Sequence, residues 1–422
     1  MRPGKLVRLG ALIAGLQLTG AAPAASQTVA ITGGTVYPVS GPRIEHGTVL
    51  VRDGVIVAVG AEVQVPSGAT RIDATGRWIT PGLIASATTL GIKLFETSGE
   101  LETEEDTVAG DVNAAFNVAD ALDPASVTIP VARLQGITTA IATPSGGLVA
   151  GQAVLFDLAG ERLPDLLVRS PAAMVADLSQ YSKPAGGGSR AGTVLRLRQL
   201  FRDSREYQRR KSDYEHARMQ PLSAPAADLE ALQPVLDGQL PLFVTANRRS
   251  DIETALRIAQ EFGVRVIIRG GVEGWQMAAE LAQARIPVVV EPLTDIPSFD
   301  APAARLDNAA LLNAAGATVL IAQTDGAQFR DLRQAAGNAV RTGLPWDAAL
   351  RAVTLGPAEA FGVGGKYGSL DAGKVADLVV WSGDPFEFSS RVEHVFIRGH
   401  DLPLVSRQTE LLHRYRKLPP AY

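Results

Sequence analysis

The 422-residue sequence contains no cysteine and only five histidines. Without cysteine the chain can form no disulfide, no thiolate metal site and no thiol nucleophile. Aromatic residues are few, at 5%, and charged residues make up 20%. Beyond the N-terminal segment, no apolar run approaches the roughly 18 residues that indicate a membrane span. What is present, 46% hydrophobic residues with abundant alanine and glycine, is typical of a globular protein with a sizeable core.

The first 26 residues show the three parts of a secretory signal peptide. "MRPGKLVR" is basic, "LGALIAGLQLTGA" is apolar but short for a membrane span, and "APAASQ" contains the cleavage signal Ala22-Pro23-Ala24. We therefore predict cleavage near residue 24 or 26 and an exported, periplasmic protein. Because no cysteine is available for lipid attachment, we expect no membrane association after the signal is removed.

The charge of the chain becomes more acidic once this segment is removed. The whole sequence has 40 basic and 44 acidic residues, a net charge of −4; loss of Arg2, Lys5 and Arg8 leaves 37 basic residues, a net charge of −7. An acidic chain is not expected to bind nucleic acid. The charged segment at 196–218 interleaves acidic and basic residues, and we interpret it as an outer helix with its apolar side on the core.

The pattern of strands divides the remaining chain into four parts. Residues 27–79 and 364–405 contain short strands separated by glycines, whereas residues 80–363 alternate apolar strands with helical patterns. Nearly continuous apolar strands are typical of a parallel sheet buried on both faces. We predict an α/β fold, a (β/α)8 TIM-like barrel over 80–363 with a small β-sandwich domain built from both chain termini, followed by a tail at 406–422. An open doubly wound sheet is the alternative, although no G-x-G-x-x-G follows an early strand.

Two stretches resemble the amidohydrolase superfamily, particularly its imidazolonepropionase-like branch. "ITPGLIASATTLG" (79–91) is similar to that family's first barrel strand, which reads T-P-G-L-I-D-x-H-x-H. "AVTLGPAEAFGVGGKYGSLDAGKVADLVVWSGDP" (352–385) resembles the family's C-terminal ending. The resemblance implies the same barrel and a metal-dependent hydrolase that acts on carbon–nitrogen bonds, in which a metal ion activates water.

The sequence departs from the family at the positions to which the resemblance assigns metal ligands. Ala85 replaces an aspartate, and Ala87 and Thr89 replace the two histidines of the first strand. Thr245 and Arg269 stand at or near the histidine positions of the fifth and sixth strands. A methyl group cannot bind a metal, and a guanidinium repels a divalent cation. None of the five histidines ends a predicted barrel strand, so we expect no metal cofactor.

The last barrel strand keeps its family carboxylate, Asp325. Asp325 would be catalytic if the protein is active, and a helix-capping role in the turn Thr324-Asp325-Gly326 is an equal interpretation. No other residue is predicted to be catalytic. We predict that Arg269, Asp325, Thr245 and Glu273 line a pocket for a small polar ligand, with Arg269 suited to a carboxylate group.

These observations leave three hypotheses for the function. The first is an exported pseudoenzyme that has lost its metal site and binds a small polar or peptide-like ligand. The second, compatible with the first, is a structural partner of an intact amidohydrolase. The alternative is an active hydrolase of peptide or non-peptide amide bonds with a rebuilt site, in which Glu96, the acidic run Glu100–Asp106 or Glu291 would supply oxygen ligands for a divalent metal such as zinc, or a carboxylate pair.

Overall fold

The computed structural model describes residues 27–97, 100–103, 110–323 and 331–416. The predicted signal segment 1–26 and Asp325 lie outside these ranges. Within them the strands are β1 (Thr28–Val36), β2 (Ile44–Arg52), β3 (Val55–Gly60), β4 (Thr70–Asp73), β5 (Trp78–Pro81), β6 (Leu83–Thr88), β7 (Lys93–Thr97), β8 (Glu100–Thr103), β9 (Ile137–Ala142), β10 (Val149–Asp157), β11 (Leu167–Asp177), β12 (Leu242–Ala246), β13 (Val266–Gly270), β14 (Val288–Val290), β15 (Val319–Ile321), β16 (Leu378–Trp381), β17 (Val392–Ile397) and β18 (His400–Leu402).

The α-helices within the same ranges are α1 (Thr128–Arg133), α2 (Leu163–Leu166), α3 (Arg190–Arg209), α4 (Lys211–Glu215), α5 (Ala226–Ala231), α6 (Gln233–Leu236), α7 (Arg249–Phe262), α8 (Ala278–Ala284), α9 (Asn308–Ala314), α10 (Leu332–Arg341), α11 (Trp346–Ala352), α12 (Leu355–Ala360) and α13 (Arg407–Tyr415). Short 3₁₀ helices span Val118–Ala121, Gln180–Gly186 and Gly274–Met277. In the described part of the chain, no helix combines the length and the apolar character needed to cross a membrane.

Strands from both ends of the chain form one mixed sheet, as predicted. Its order is β18-β17-β16-β5-β1-β2-β3, with β4 paired to β1. At the β3 edge the sheet folds back on the segment that leads into β16, because Ile56 N donates to the Lys374 carbonyl (2.9 Å) and Gly373 N donates to the Ile56 carbonyl (2.8 Å). The folded sheet encloses its own apolar cluster, which includes Ile31 and Phe396.

The stretch 79–91, interpreted as one strand from the sequence, is divided between two sheets. The first part of the stretch is β5, which belongs to the terminal sheet, where Thr80 pairs with Val379 of β16. The next strand, β6, is the first strand of the barrel. Thr80 therefore belongs to the terminal sheet, although the prediction placed the start of the barrel at residue 80. Gly82 lies at the junction, where an added Cβ would be 2.1 Å from Thr138 Oγ1. A larger residue at this point would force the neighbouring strand away.

The second large sheet confirms the eight-stranded barrel, with one departure. Its order is β6-β9-β10-β11-β12-β13-β14-β15, and its two edges meet where the Ser86 hydroxyl donates to the Ile321 carbonyl (3.3 Å). Seven strands run parallel, but β10 is antiparallel to both β9 and β11. The repeating β/α pattern of the sequence did not predict that β10 would run antiparallel to its neighbours. Only loops and the four-residue α2 connect these three strands, and short connections join antiparallel neighbours.

The barrel interior is filled by apolar side chains from every strand. One buried cluster contains Ile84, Ile141, Leu155, Val175, Phe243, Ile267, Val289 and Leu320. Phe361, which follows α12, packs against Phe243 with ring centroids 5.5 Å apart. Because side chains alternate along a strand, residues two positions further on also face inward, at the carboxyl end of the barrel. Those residues include Asp177, Thr245, Arg269 and Glu291.

A buried polar cluster joins the barrel to the terminal sheet. Asp157, at the end of β10, accepts hydrogen bonds from Arg398 Nε (2.7 Å) and the Tyr367 hydroxyl (3.1 Å). Asp377 accepts from Arg398 N (2.7 Å), and the Thr139 hydroxyl lies within 3.3 Å of both carboxyl groups. Burial raises the pKa of both aspartates, but the Arg398 guanidinium opposes the rise at Asp157. Of the two, Asp377 is therefore the carboxyl group that keeps its proton to the higher pH, and Asp157, beside Arg398, ionises first.

The charged segment near residue 200 is the outer helix that the sequence predicted. α3 buries Leu197, Leu200, Phe201 and Tyr207 in the main core. Its basic side chains are partly neutralised on the outside, where Glu261 receives hydrogen bonds from two arginines of α3. This arrangement is that of a solvated outer face over a barrel.

Candidate functional site

A polar cavity of about 460 Å³ opens where β11, β12, β13 and β14 end. The carboxyl ends of parallel barrel strands are where barrel proteins place their ligand sites. The loop after β9 contributes Ser145, Gly146 and Gly147 to the wall. The polar side chains that line the cavity are Asp177, Tyr181, Thr245, Asn247, Arg269, Glu291, Thr294 and Asp295.

Three of these residues stand side by side in register. Asp177 is the Cα partner of Thr245, and Thr245 is the partner of Arg269. Neighbouring strands lie about 4.8 Å apart, so a carboxyl group and a guanidinium flank one hydroxyl at the cavity floor. Burial raises the pKa of Asp177, while a hydrogen bond from Ser179 N (2.6 Å) and the charge of Arg269 oppose that rise. The row presents an acceptor, a hydroxyl and a cation to a ligand.

Arg269 is half-buried and forms no hydrogen bond or ion pair with any residue that the structure describes. Its neighbour Gly270 has φ +87°, and a Cβ there would lie 2.0 Å from Asn247 Oδ1. That Asn247 oxygen is buried and finds no hydrogen-bond donor among the described residues. The cavity thus offers both unsatisfied donors on Arg269 and an unsatisfied acceptor on Asn247, and such groups are costly unless a ligand or water pairs with them.

Asp295 is the most strongly perturbed carboxyl group of the cavity. It is 2% exposed. Burial, with a smaller contribution from the negative charge of Glu291, raises the pKa of Asp295 to about 7. Asn308 Nδ2 donates to Asp295 (3.1 Å) and is itself held by the Gly271 carbonyl (3.0 Å). A carboxyl group that is partly protonated at neutral pH can both donate and accept a hydrogen bond.

The positions that replace the family's first-strand ligands lie apart from this cavity lining. Ala87 is 1% exposed and belongs to the apolar cluster inside the barrel. Ala85 is buried in the surrounding core, and Thr89 is half-buried just after β6. The pairing of β6 with β9 is irregular between Ala85 and Thr88. Ala85 and Ala87 are packed as core, and none of the three side chains is an imidazole or a carboxylate.

Glu273 does not line the cavity, although the sequence predicted it as a ligand contact. It is 6% exposed, and its two carboxylate oxygens accept from Arg249 N and Ala303 N, each at 2.9 Å. Since Arg249 is the first residue of α7, Glu273 satisfies an otherwise unpaired amide at that helix terminus. The structure therefore brings Thr245 and Arg269 together and gives Glu273 a structural role. Asp325 lies outside the described residues.

All five histidines lie away from the barrel strand ends, as predicted: His46 in β2, His216 after α4, His394 in β17, His400 in β18 and His413 in α13. Across the described ranges, no group of three or more histidine, aspartate or glutamate side chains is arranged to hold a metal ion. Arg269, which is permanently charged, occupies a strand-end position where a metal-binding side chain would be needed. The described residues therefore do not fit the divalent metal that the resemblance implies.

Sequence reasoning missed Asp177 and Asp295. Asp177 ends the apolar run 172–177, and its place at a strand end was a usable signal. Asp295 and Asn247 follow their strands in loops, where no sequence pattern marks them as cavity residues. Asp295 is buried only in the folded chain, where it accepts a hydrogen bond from Asn308.

The fold and this cavity define an α/β-barrel protein with a β domain built from both termini and a polar cavity at the carboxyl ends of the strands. The sequence over residues 303–402 matches the amidohydrolase family. The chain is 26% identical to an amidohydrolase from Thermotoga maritima MSB8 whose crystal structure superposes with a TM-score of 0.82, covering 89% of this chain and 99% of that one. Residues 303–402 are thus similar to the amidohydrolase family, and the chain shares the fold of that Thermotoga maritima amidohydrolase.

Two further relatives support this placement. The chain is 28% identical over 367 residues to an imidazolonepropionase from Acidiphilium cryptum, covering 82% of this chain and 89% of that protein. It is 27% identical over 390 residues to amidohydrolase tasK from Hapsidospora irregularis, covering 84% of this chain. The chain spans only 39% of the length of that second relative.

Proposed function

We propose that this protein is an exported pseudoenzyme that has lost its metal site and binds, at the barrel mouth, a small polar ligand with a carboxylate group, such as a peptide-like amide. The observation that carries the proposal is Arg269. Its guanidinium lines the cavity without an ion-pair partner among the described residues. A guanidinium suits a planar carboxylate, with which it forms two parallel charge-assisted hydrogen bonds.

The rest of the cavity supports a ligand of mixed polarity. Asp177 lies on the far side of Thr245 from Arg269, so a ligand held by Arg269 can place an amide or amine N–H against a carboxylate. Asn247 Oδ1 adds an acceptor without a partner among the described residues. A cavity of about 460 Å³ has the size of a small-molecule site.

Loss of the metal site is proposed on the chemistry of the residues. The strand-end positions that would hold an ion carry Ala87, Thr89, Thr245 and Arg269. Methyl, hydroxyl and guanidinium groups do not form the nitrogen and carboxylate ligand set that zinc prefers. The signal segment at 1–26 supports export of this binding protein to the periplasm.

Assembly with an intact amidohydrolase is a second part of the proposal. Ile296 and Phe299 follow β14 and are 60% and 103% exposed, and Tyr181, on the cavity wall, is 78% exposed. Large apolar side chains exposed around one mouth are typical of a protein interface. An exported relative that keeps His-x-His in its first strand should co-purify under native conditions, whereas a clean monomer in the native extract contradicts this part.

An active hydrolase of carbon–nitrogen bonds with a rebuilt site is the alternative, favoured by Asp295. A carboxyl group with a pKa of about 7 beside Glu291 has the protonation behaviour of a general acid or base. In this case Asp325→Asn, Asp295→Asn or a chelator should abolish release of amine from peptide or non-peptide amides. If no amine is released by the wild type at any pH from 5 to 9, the alternative fails.

Calorimetric titration with N-acetyl amino acids and dipeptides tests the binding proposal. Each carboxylate compound is paired with its neutral amide. We expect the wild type to bind a carboxylate form at least tenfold more tightly than its amide, and Arg269→Gln to lose that preference. Arg265→Gln is the matched control, because Arg265 is exposed just before the same strand, at its opposite end. Equal affinity for acid and amide overturns the proposal.

Metal analysis tests the pseudoenzyme proposal separately. Protein purified without chelator should contain far less than one zinc or manganese per chain. About one tightly held ion per chain would show that residues beyond the described set complete a metal site, and the pseudoenzyme proposal would then be wrong.

A further inference from the structure

A second cavity, of about 590 Å³, lies away from the barrel mouth, between the terminal sheet and the start of α11. The chemistry-bearing side chains of its lining are Tyr37, Arg43, Trp78, Trp346, Asp347 and Asp384. They come from four separate parts of the chain. None of them belongs to the barrel-mouth cavity, and neither the family resemblance nor the proposed function uses them.

Three aromatic rings form one wall of this cavity. The ring centroids of Tyr37 and Trp78 are 4.7 Å apart, those of Tyr37 and Trp346 are 4.8 Å apart, and those of the two indoles are 5.6 Å apart. The ring planes are inclined by 35° to 79°, so the wall is angular. The whole sequence has only four tryptophans, and two of them meet here. Aromatic faces attract cations through the negative charge above the ring.

The charges around the wall are predominantly negative. Trp346 Nε1 donates to both Asp384 oxygens (3.0 and 3.1 Å), which fixes that carboxylate beside the indole. Asp347 is exposed and forms no hydrogen bond or ion pair with a residue in the described ranges. The one cation of the lining, Arg43, is already paired with Glu45 at 3.1 Å. One uncompensated carboxylate and one hydrogen-bonded carboxylate therefore face an aromatic wall.

The rim of the cavity contains a strained residue. Val39 lines the cavity and has φ +72°. For a β-branched residue this left-handed conformation is an outlier that costs on the order of 1–3 kcal/mol, and such strain is concentrated at ligand sites. Val39 and the residues from Gly41 to Arg43 contribute this turn to the cavity lining.

We propose that this cavity binds a small organic cation of the ammonium or guanidinium class, with the positive group held by the aromatic wall and by Asp347 and Asp384. A quaternary ammonium or a guanidinium suits both the aromatic wall and the two carboxylates, because it is weakly hydrated and pairs with aromatic faces and carboxylates together. The site is independent of the barrel mouth, so the failure of one proposal leaves the other untouched.

Fluorine NMR of the full chain labelled with 5-fluorotryptophan provides the test. The four tryptophan signals are assigned with single Trp→Phe variants, and choline and N-methylguanidine are the probes. We expect the signals of Trp78 and Trp346 to shift saturably with at least one probe, with a Kd of about 1 mM or tighter. The signals of Trp275 and Trp381, which lie outside the cavity lining, should stay in place.

Two variants and two uncharged compounds complete the test. Asp347→Asn should weaken binding at least fivefold, whereas Asp237→Asn, at another exposed aspartate, should not change it. The neutral isostere of choline, 3,3-dimethylbutan-1-ol, should cause no saturable shift. An equal response to this neutral compound, a response to a disaccharide such as cellobiose in place of the cations, or no response up to about 20 mM of either cation overturns the proposal.

Discussion

Replacing Asp377 or Asp157 with asparagine makes the same chemical change in one buried cluster, and the structure predicts opposite results at pH 7. Below its raised pKa, Asp377 holds a proton, so its carboxyl group is neutral there and Asn is a close replacement. The Asn oxygen can accept from Arg398 N, and the amide can donate to Thr139. We expect Asp377→Asn to change the free energy of unfolding by less than about 1 kcal/mol near pH 4, where the unfolded aspartate is also protonated, and to raise it relative to the wild type at pH 7.

Asp157→Asn removes a charge that is paired. Asp157 is fully buried and receives donors from Arg398 and Tyr367 on one oxygen and from Thr139 on the other. Breaking a buried pair by removing one partner costs about 3–5 kcal/mol, but the Arg398 side chain is 38% exposed, so water solvates the stranded guanidinium. We therefore expect Asp157→Asn to lower the free energy of unfolding by about 3 kcal/mol. Part of this loss comes from one hydrogen-bond donor that is left without an acceptor.

The pH dependence gives the sign of the Asp377 effect. The raised pKa of Asp377 means that the folded state binds a proton more tightly than the unfolded state. Wild-type stability is therefore lost as the pH rises from about 4 towards the folded-state pKa, while the asparagine variant has no such dependence at this position. Measured relative to the wild type, Asp377→Asn should become more stable as the pH rises from 5 to 8.

Urea unfolding followed by both circular dichroism and tryptophan fluorescence measures these differences. Coincident transitions by the two probes are needed before free energies are compared, because a chain of this size need not unfold in one step. An Asp377→Asn variant that loses as much as Asp157→Asn at pH 7 would show that Asp377 is ionised. The assignment of the proton would then be wrong, and so would the account of the cluster.

The remaining predictions concern the core and the barrel mouth. Gly136→Ala should cost more than about 3 kcal/mol in urea unfolding, because the backbone has φ +77° and the added Cβ would lie 2.2 Å from Trp381; Gly365→Ala, which meets no atom within 4 Å, should stay within about 0.5 kcal/mol of the wild type. Phe243→Ala should cost about 3–5 kcal/mol, and a smaller loss would show that the barrel interior collapses around the cavity. Asp295→Asn should reduce the fall in stability as the pH rises from about 4 through 7, and an unchanged pH profile would contradict the raised pKa of Asp295.

Local sequence patterns were sufficient for most of the barrel. Its parallel strands are continuous apolar runs, and burial on both faces requires such runs wherever the chain places them. The antiparallel β10 was not predicted, because a buried strand has the same composition in either direction. The division of 79–91 at Gly82 was also hidden, since only the packing against Thr138 requires glycine there. Strand direction and sheet membership are set by partners far away in sequence.

The candidate site was predicted in part. Thr245 and Arg269 were found because they occupy strand-end positions where the resemblance expects histidines, and the structure places both on the cavity. Glu273 was misjudged, because the sequence does not reveal that two backbone amides, Arg249 N and Ala303 N, occupy its carboxylate. Asp295 was not identified, because its raised pKa comes from burial in the folded chain, against the opposing hydrogen bond from Asn308.

The sequence by itself determined most of the parallel barrel strands, the absence of cysteine and the absence of histidine from the predicted barrel strand ends, since these follow from composition and short-range pattern. Only the tertiary structure decided that Asp177, Thr245 and Arg269 stand in one row, and that Tyr37, Trp78 and Trp346 meet around a second cavity. The physical reason is that register and burial arise from contacts between distant segments. A side chain gains its function here from the neighbours that folding brings to it, and a one-dimensional pattern does not contain those neighbours.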